Sequence, residues 1–124
     1  MRYYNNGGRM SVKIKSKFWI EVDGRPVFGK GRRCLLEAID KNGSINQAAK
    51  DMNISYRKAW SYLKVTEERL GMKLIERHTG GKGGGGAILT KDARTILEKY
   101  REMERGLQKI VEGRFQKIFK KNEL

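Results

Sequence analysis

The 124-residue chain has one proline, one cysteine and one histidine. A single cysteine excludes an intrachain disulfide framework. One cysteine with one histidine also excludes a conventional zinc site within the chain. Histidine-based catalysis would rest on His78 alone. Long hydrophobic runs are missing too: nothing approaches the roughly 20 apolar residues that a membrane span needs, so no membrane partner is expected. The N-terminal string MRYYNNGGRM lacks the apolar stretch of a signal peptide, and the expected compartment is the cytoplasm. Acidic side chains are scarce, 14 against 28 Lys and Arg, which gives a net charge of +14 and a pI near 10.1. A basic chain without these catalytic tools reads as a binder of polyanions, not an enzyme, with no metal and no cofactor.

What is present supports a folded domain. Hydrophobic residues make up 38% of the chain, and the length suffices for a core without staples. The charge is uneven. Met1 to Arg33 carries net +7, Cys34 to Ala93 only +3, and Arg94 to Leu124 +4. A binding surface in the middle third must therefore arise from placement and not from bulk charge.

Met1 to Ser11 shows no period and is expected to be a flexible N-terminus, followed by a single domain over 12–124. Val12, Ile14, Phe18, Ile20 and Val22 fall on alternate positions between lysines, the period of a half-buried strand. Asp23-Gly24 marks a tight turn, and Arg25 to Phe28 can return as an edge strand that tolerates Pro26. Three short amphipathic helices follow. The first runs from Arg32 to Lys41 and stops at Asn42-Gly43. The second opens on Ser44-Ile45-Asn46-Gln47, which fits a capping box, and buries Ile45, Ala48, Ala49 and Met52. Asn53-Ile54 turns the chain, and Ser55 caps a third helix with Tyr56, Ala59, Trp60, Leu63 and Leu70 on its inner face. Gly71 ends it. Leu74-Ile75 and Ala87-Ile88-Leu89 read as strands around the glycine-rich segment Thr79 to Gly86. Thr90 caps a last helix over about 91–121.

That order defines the expected fold: mainly α with small β, a winged helix-turn-helix with an N-terminal β-hairpin and a long C-terminal dimerisation helix. In such motifs the helix after the turn enters the major groove of duplex DNA and reads base edges. Its outer side here offers Arg57, Lys58, Ser61, Tyr62 and Lys64. Arg57 can make two parallel bonds to guanine, while Lys58 and Lys64 suit phosphates. The candidate DNA-contacting set is Ser44, Gln47, Ser55, Tyr56, Arg57, Lys58, Ser61 and Lys64 on the helices, with Arg77, Thr79 and Lys82 on the wing. In the last helix Ile96, Tyr100, Met103, Leu107 and Ile110 step by 4, 3, 4, 3, a coiled-coil seam that predicts a homodimer.

The strings GSINQAAKDMNISYRKAW and RHTGGKGGGGAILT carry a resemblance. Leu36 to Leu97 is similar to the N-terminal DNA-binding domain of the ModE family of molybdate-responsive transcription regulators. The spacing from Gly43 through Leu70-Gly71 to Arg77 also resembles the LysR-type helix-turn-helix. The resemblance implies a DNA-binding dimer with the glycine loop as wing tip. Full-length members of that family carry C-terminal molybdate-binding domains; this chain stops at Leu124 and is expected to act without them. The expected function is a sequence-specific duplex DNA-binding transcriptional regulator of the ModE type. The alternative is a nucleoid-type architectural or RNA-binding protein that uses the same basic surface without base readout. Control by a separate regulatory protein is compatible with either.

Single features weigh little against this reading. Gly81-Lys82-Gly83-Gly84-Gly85-Gly86 formally satisfies G-x-G-x-x-G, but a strand follows it where a dinucleotide site requires a helix. His78 reads as a surface side chain, Cys34 as a small buried apolar group, and Trp60 as core. Trp19 points away from Phe18 and Ile20, toward a helix or a dimer contact.

Overall fold

A computed structural model of the chain describes residues 11–78 and 86–119. Its elements follow in the order β1 (Ile20–Val22), β2 (Arg25–Phe28), α1 (Lys30–Asn42), α2 (Ile45–Asp51), α3 (Tyr56–Leu70), β3 (Ile75–His78), β4 (Gly86–Leu89) and α4 (Lys91–Ile118). The two sheets are two-stranded and antiparallel, β1 with β2 and β3 with β4. The architecture is a winged helix-turn-helix: α2 and α3 form the motif, and β3 and β4 the wing. The described residues divide into two compact units, one within 18–100 and one formed by the two ends, 11–17 with 101–119.

The β1–β2 hairpin turns where the Asp-Gly pair directs it. Asp23 and Gly24 both adopt positive φ, 51° and 76°, the backbone of a turn whose twist matches its strands. The strand expected over Val12 to Val22 is shorter than its pattern. The burial alternation persists, with Val12, Ile14, Phe18 and Ile20 half-buried and Lys13, Lys15, Lys17 and Trp19 exposed. Yet only Ile20–Val22 finds a partner, because β2 offers four residues and Pro26 has no N–H to give. A period of two describes which side is covered; a partner decides whether the segment is a strand.

In α1 the helix starts at Lys30, two residues before the expected start, and takes Gly31 into its first turn. Gly43 ends it in the left-handed conformation (φ 64°), its N–H donating to Ile39 O. Ser44 then caps α2, accepting from Gln47 N at 3.1 Å. Only this half of the expected capping box forms. The Gln47 amide nitrogen turns forward to Asp51 Oδ1 at 3.1 Å, a carboxylate that also accepts from Asn42 Nδ2 at 2.9 Å. Asn53 makes the turn at φ 59°, and Ser55 caps α3 by accepting from Lys58 N at 3.0 Å.

The core of the 18–100 unit joins Val27 and Phe28 of β2, Leu35, Leu36 and Ile39 of α1, Ile45, Ala48 and Ala49 of α2, Ala59 and Leu63 of α3, and Leu74, Ile75, Ala87, Leu89, Ala93, Leu97 and Tyr100 beyond them. Each large apolar side chain so buried contributes about 1.5–3 kcal/mol. Cys34 and Met52 are half-buried instead of fully enclosed. Tyr100 corrects the expected open seam: its ring meets Phe28 edge-on at 5.0 Å and its hydroxyl donates to Phe18 O at 2.8 Å. Thr90 caps α4 by accepting from Ala93 N, and its hydroxyl donates to Lys73 O.

Within the other unit, Ser16 Oγ donates to Gln108 Oε1 at 2.6 Å, and Gln108 Nε2 donates to Ile14 O. The same helix leaves Met103, Ile110 and Ile118 exposed, as is Phe119 just beyond its end. No helix among the described residues is long and apolar enough to cross a membrane.

Candidate nucleic-acid interface

The outward face of α3 follows from its inward one. Ala59, Leu63 and Thr66 are buried, and Arg57, Lys58, Ser61 and Lys64 are exposed on the far side. The first turn of α3 contains Arg57 and Lys58 and no acidic residue. Cations are disfavoured at the positive end of a helix dipole. Their presence there, beside partly free backbone N–H groups, suits an incoming anion.

Two aromatic side chains flank that face, and each is overlaid by two cations. On the wing side, Lys64 Nζ lies 4.8 Å and Arg77 Cζ 4.5 Å from the Trp60 ring centre. Arg77 also donates from Nη2 to the Tyr56 hydroxyl. An open groove of about 480 Å³ follows this flank, lined by Trp60, Lys64, Glu67, Lys73, Arg77 and His78 among others. On the α1 side, Arg32 Cζ and Lys58 Nζ each lie 5.8 Å from the Tyr62 ring centre. Arg32 Nε donates to Thr66 Oγ1 at 2.6 Å, and Arg69 Nη1 to Pro26 O at 2.7 Å. Partial burial, then the charge of Arg69, hold the Arg32 pKa below its usual range, against a smaller opposing influence of Tyr62.

The wing is tied down at its base. The Glu67 carboxylate accepts from Leu74 N at 2.8 Å and Ile75 N at 3.3 Å. Ala87 N donates to Gly43 O, where a Cβ on Gly86 would come within 3.2 Å of the same oxygen. The β3–β4 ladder pairs Ile75 with Leu89 through His78 with Gly86.

These contacts place the expected residues. Ser55, Arg57, Lys58, Ser61 and Lys64 are all exposed, and Arg77 of the wing meets this helix at Trp60 and Tyr56. Tyr56, expected on the inner face, is 40% exposed, because its ring lies on the Trp60 flank of α3 where the Arg77 side chain meets it. Trp60 is half-buried: it packs against the core, as expected, and two cations also lie over its ring. Ser44 and Gln47 lie at the start of α2, occupied with the cap and with Asp51. Thr79 and Lys82 lie outside the described residues. Of the proposed seam, Tyr100 is buried, Ile96 and Leu107 are half-buried, and Met103 and Ile110 are exposed. Sequence reasoning missed Glu67, whose helical spacing beside Lys64 reads as surface charge, and Arg32, whose role depends on a contact 34 residues away. His78 is exposed on β3, and among the described residues no group of three or more His, Cys, Asp or Glu could hold a metal ion.

The fold defines a class, the winged helix-turn-helix. A crystal structure of the CbnR DBD–DNA complex superposes with a TM-score of 0.54, covering 73% of this chain and 97% of that one at 21% identity, a likeness of fold. Residues 34–94 match the bacterial regulatory helix-turn-helix protein family of lysR type. More particularly, the region is similar to ModE regulators. The transcriptional regulator ModE of Haemophilus influenzae is 46% identical over 71 residues, 57% of this chain and 28% of the relative. The DNA-binding transcriptional dual regulator ModE of Escherichia coli K12 is 44% identical over 75 residues, 60% of this chain and 29% of the relative. A molybdenum transport protein ModE of Azotobacter vinelandii is 34% identical over 94 residues, 76% of this chain and 35% of the relative. The chain thus spans about three-tenths of the length of these curated relatives. Residues 34–94 are thus similar to the lysR-type helix-turn-helix and to the corresponding region of the ModE regulators.

Proposed function

We propose that the chain is a sequence-specific, duplex DNA-binding transcriptional regulator of the ModE type that acts as a homodimer. One observation carries the reading: α3 presents Arg57, Lys58, Ser61 and Lys64 together on an exposed, Ser55-capped face, with no carboxylate in its first turn. In the proposed complex Arg57 reads a base edge. Lys58, Lys64 and Arg77 meet phosphates, and Thr79 and Lys82 of the wing tip follow the backbone. Ser44 and Gln47 approach the backbone from the start of α2. The exposed apolar side chains Met103 and Ile110, with Leu107, form the dimer contact. The E. coli relative is itself described as a DNA-binding transcriptional dual regulator, which supports the same role here.

Selection of bound sequences from a random duplex pool tests this. The expected product is a two-fold symmetric consensus with half-sites about one DNA turn apart. A bound pool without consensus would overturn sequence-specific regulation and favour an architectural role without base readout.

A further inference from the structure

We propose that Arg32 and Tyr62 join Lys58 as a second phosphate-binding site, so that α3 is clamped to the DNA backbone on both of its flanks. This rests on the duplex-binding reading above and adds residues that the outward face of α3 does not itself supply.

The geometry begins with the helix. Trp60 and Tyr62 stand two residues apart on α3, which places them roughly 160° apart around its axis. Both flank the face that carries Arg57 and Ser61. A helix about 10–12 Å across fills a major groove about 12 Å wide. A helix seated there has one sugar-phosphate strand on each side. The wing flank supplies Lys64 and Arg77 against Trp60. The opposite flank has no wing, but it has an equivalent cluster: Arg32 from α1 and Lys58 from α3, both at 5.8 Å from the Tyr62 ring.

The charge balance separates the two flanks. On the wing side Lys64 lies 3.9 Å from Glu67, and Glu76 lines the same groove. On the α1 side no carboxylate of the described residues forms an ion pair with Arg32, Lys58 or Arg69. Arg32 is half-buried nonetheless. A partly buried guanidinium among like charges is costly unless an anion meets it. Burial and Arg69 already weaken its hold on its proton, and the negative charge of an arriving phosphodiester opposes that weakening.

The cluster is also prepared for that ligand. The Arg32 Nε bond to Thr66 Oγ1 uses one edge of the guanidinium, leaving donors at its terminal nitrogens. Thr66 Oγ1 donates in turn to Tyr62 O at 2.7 Å, which fixes the acceptor on α3. The Tyr62 ring, 41% exposed, lies within 5.8 Å of both cations, and its hydroxyl is a donor suited to a phosphate oxygen.

The test uses the full chain and a fluorescein-labelled random-sequence duplex, because a phosphate contact is independent of sequence. Anisotropy titrations over roughly 50–200 mM salt give the slope of log K against log salt. Arg32→Gln should weaken binding roughly tenfold per protomer at about 0.1 M salt and flatten the slope by about 1 per protomer. Arg32→Lys should keep the slope. Tyr62→Ala, at an exposed position that does not endanger folding, should weaken binding roughly two- to fivefold. If wild type binds while Arg32→Gln and Tyr62→Ala leave affinity and slope unchanged, the second site is wrong and duplex binding stands. If wild type shows no salt-dependent duplex binding, both readings fall.

Discussion

Asp51 links two helices through one carboxylate: Oδ2 accepts from Asn42 at the end of α1, and Oδ1 from Gln47 within α2. These bonds, the one from Asn42 first, hold its pKa below the usual Asp range. A depressed carboxylate pKa stabilises the fold at pH above the unfolded value of about 3.9, and that stabilisation is lost as pH falls through the lower folded value. Thermal melts from neutral pH to strong acid should therefore show Asp51→Ala below wild type near neutrality, with the gap closing as carboxylates protonate. A gap that stays constant with pH would mean that the charge contributes nothing. Arg57 poses a different question, since it is exposed and forms no ion pair or ring contact among the described residues. Arg57→Ala should lose about 1–3 kcal/mol on the selected site and relax the choice at one base pair per half-site. Lys64→Ala should weaken all duplexes alike, so a competition series with random DNA separates the roles. At this scale the sequence made the exposed cations of α3 readable, because a helical period leaves them no inner position. It could not show that Tyr56 belongs to the wing flank, since a helical offset of roughly 60° from Ala59 suits either side until Arg77 arrives from β3.

The elements follow their local signals closely where the signals are chemical. Ser44 and Ser55 cap the helices that they precede, and Gly43 and Gly71 end theirs at positive φ. Ser55→Ala should cost about 1 kcal/mol, read as a loss in urea midpoint, because the Lys58 N–H loses its acceptor. Ser55→Asp should restore the cap but weaken duplex binding, since it puts a negative charge beside the phosphate-facing first turn. An Asp variant that binds DNA as tightly as wild type would place the duplex elsewhere. Other elements were less legible, for physical reasons. The alternation from Val12 to Val22 reports burial on one side, and it cannot report that β2 ends after four residues. Gln47 has the spacing of a reciprocal cap, yet Asp51 competes for its amide from the next turn. Glu67 looks like one more helix-surface charge, although it receives the backbone of β3.

For the whole molecule, the open question is what covers the C-terminal half of α4. The 4-3-4-3 spacing of Ile96, Tyr100, Met103, Leu107 and Ile110 suggests a continuous seam, but the fold assigns its members differently. Tyr100 lies in the core under Phe28, and Ile96 packs on its edge. What remains outward is the later part: Ile110, 61% exposed, stands seven residues beyond the exposed Met103 on one side of α4, and Ile118, also 61% exposed, lies in its last turn. A stripe of this kind on one helix is buried most simply by its own copy across a two-fold axis. Ile110→Glu tests the arrangement with little risk to the fold, because the side chain is mostly exposed in the single chain. Wild type should sediment as a dimer at micromolar concentration, and Ile110→Glu as a folded monomer with the same helical signal. Each protomer then carries only its own phosphate contacts. The slope of log K against log salt should fall to about half its wild-type size, and the two-fold consensus should collapse to a single half-site. A wild type that is monomeric at that concentration, or a variant that remains dimeric, would remove α4 from the assembly. A monomeric variant that kept the full salt slope would instead show that one protomer makes every phosphate contact, so that dimerisation adds nothing to the grip on DNA.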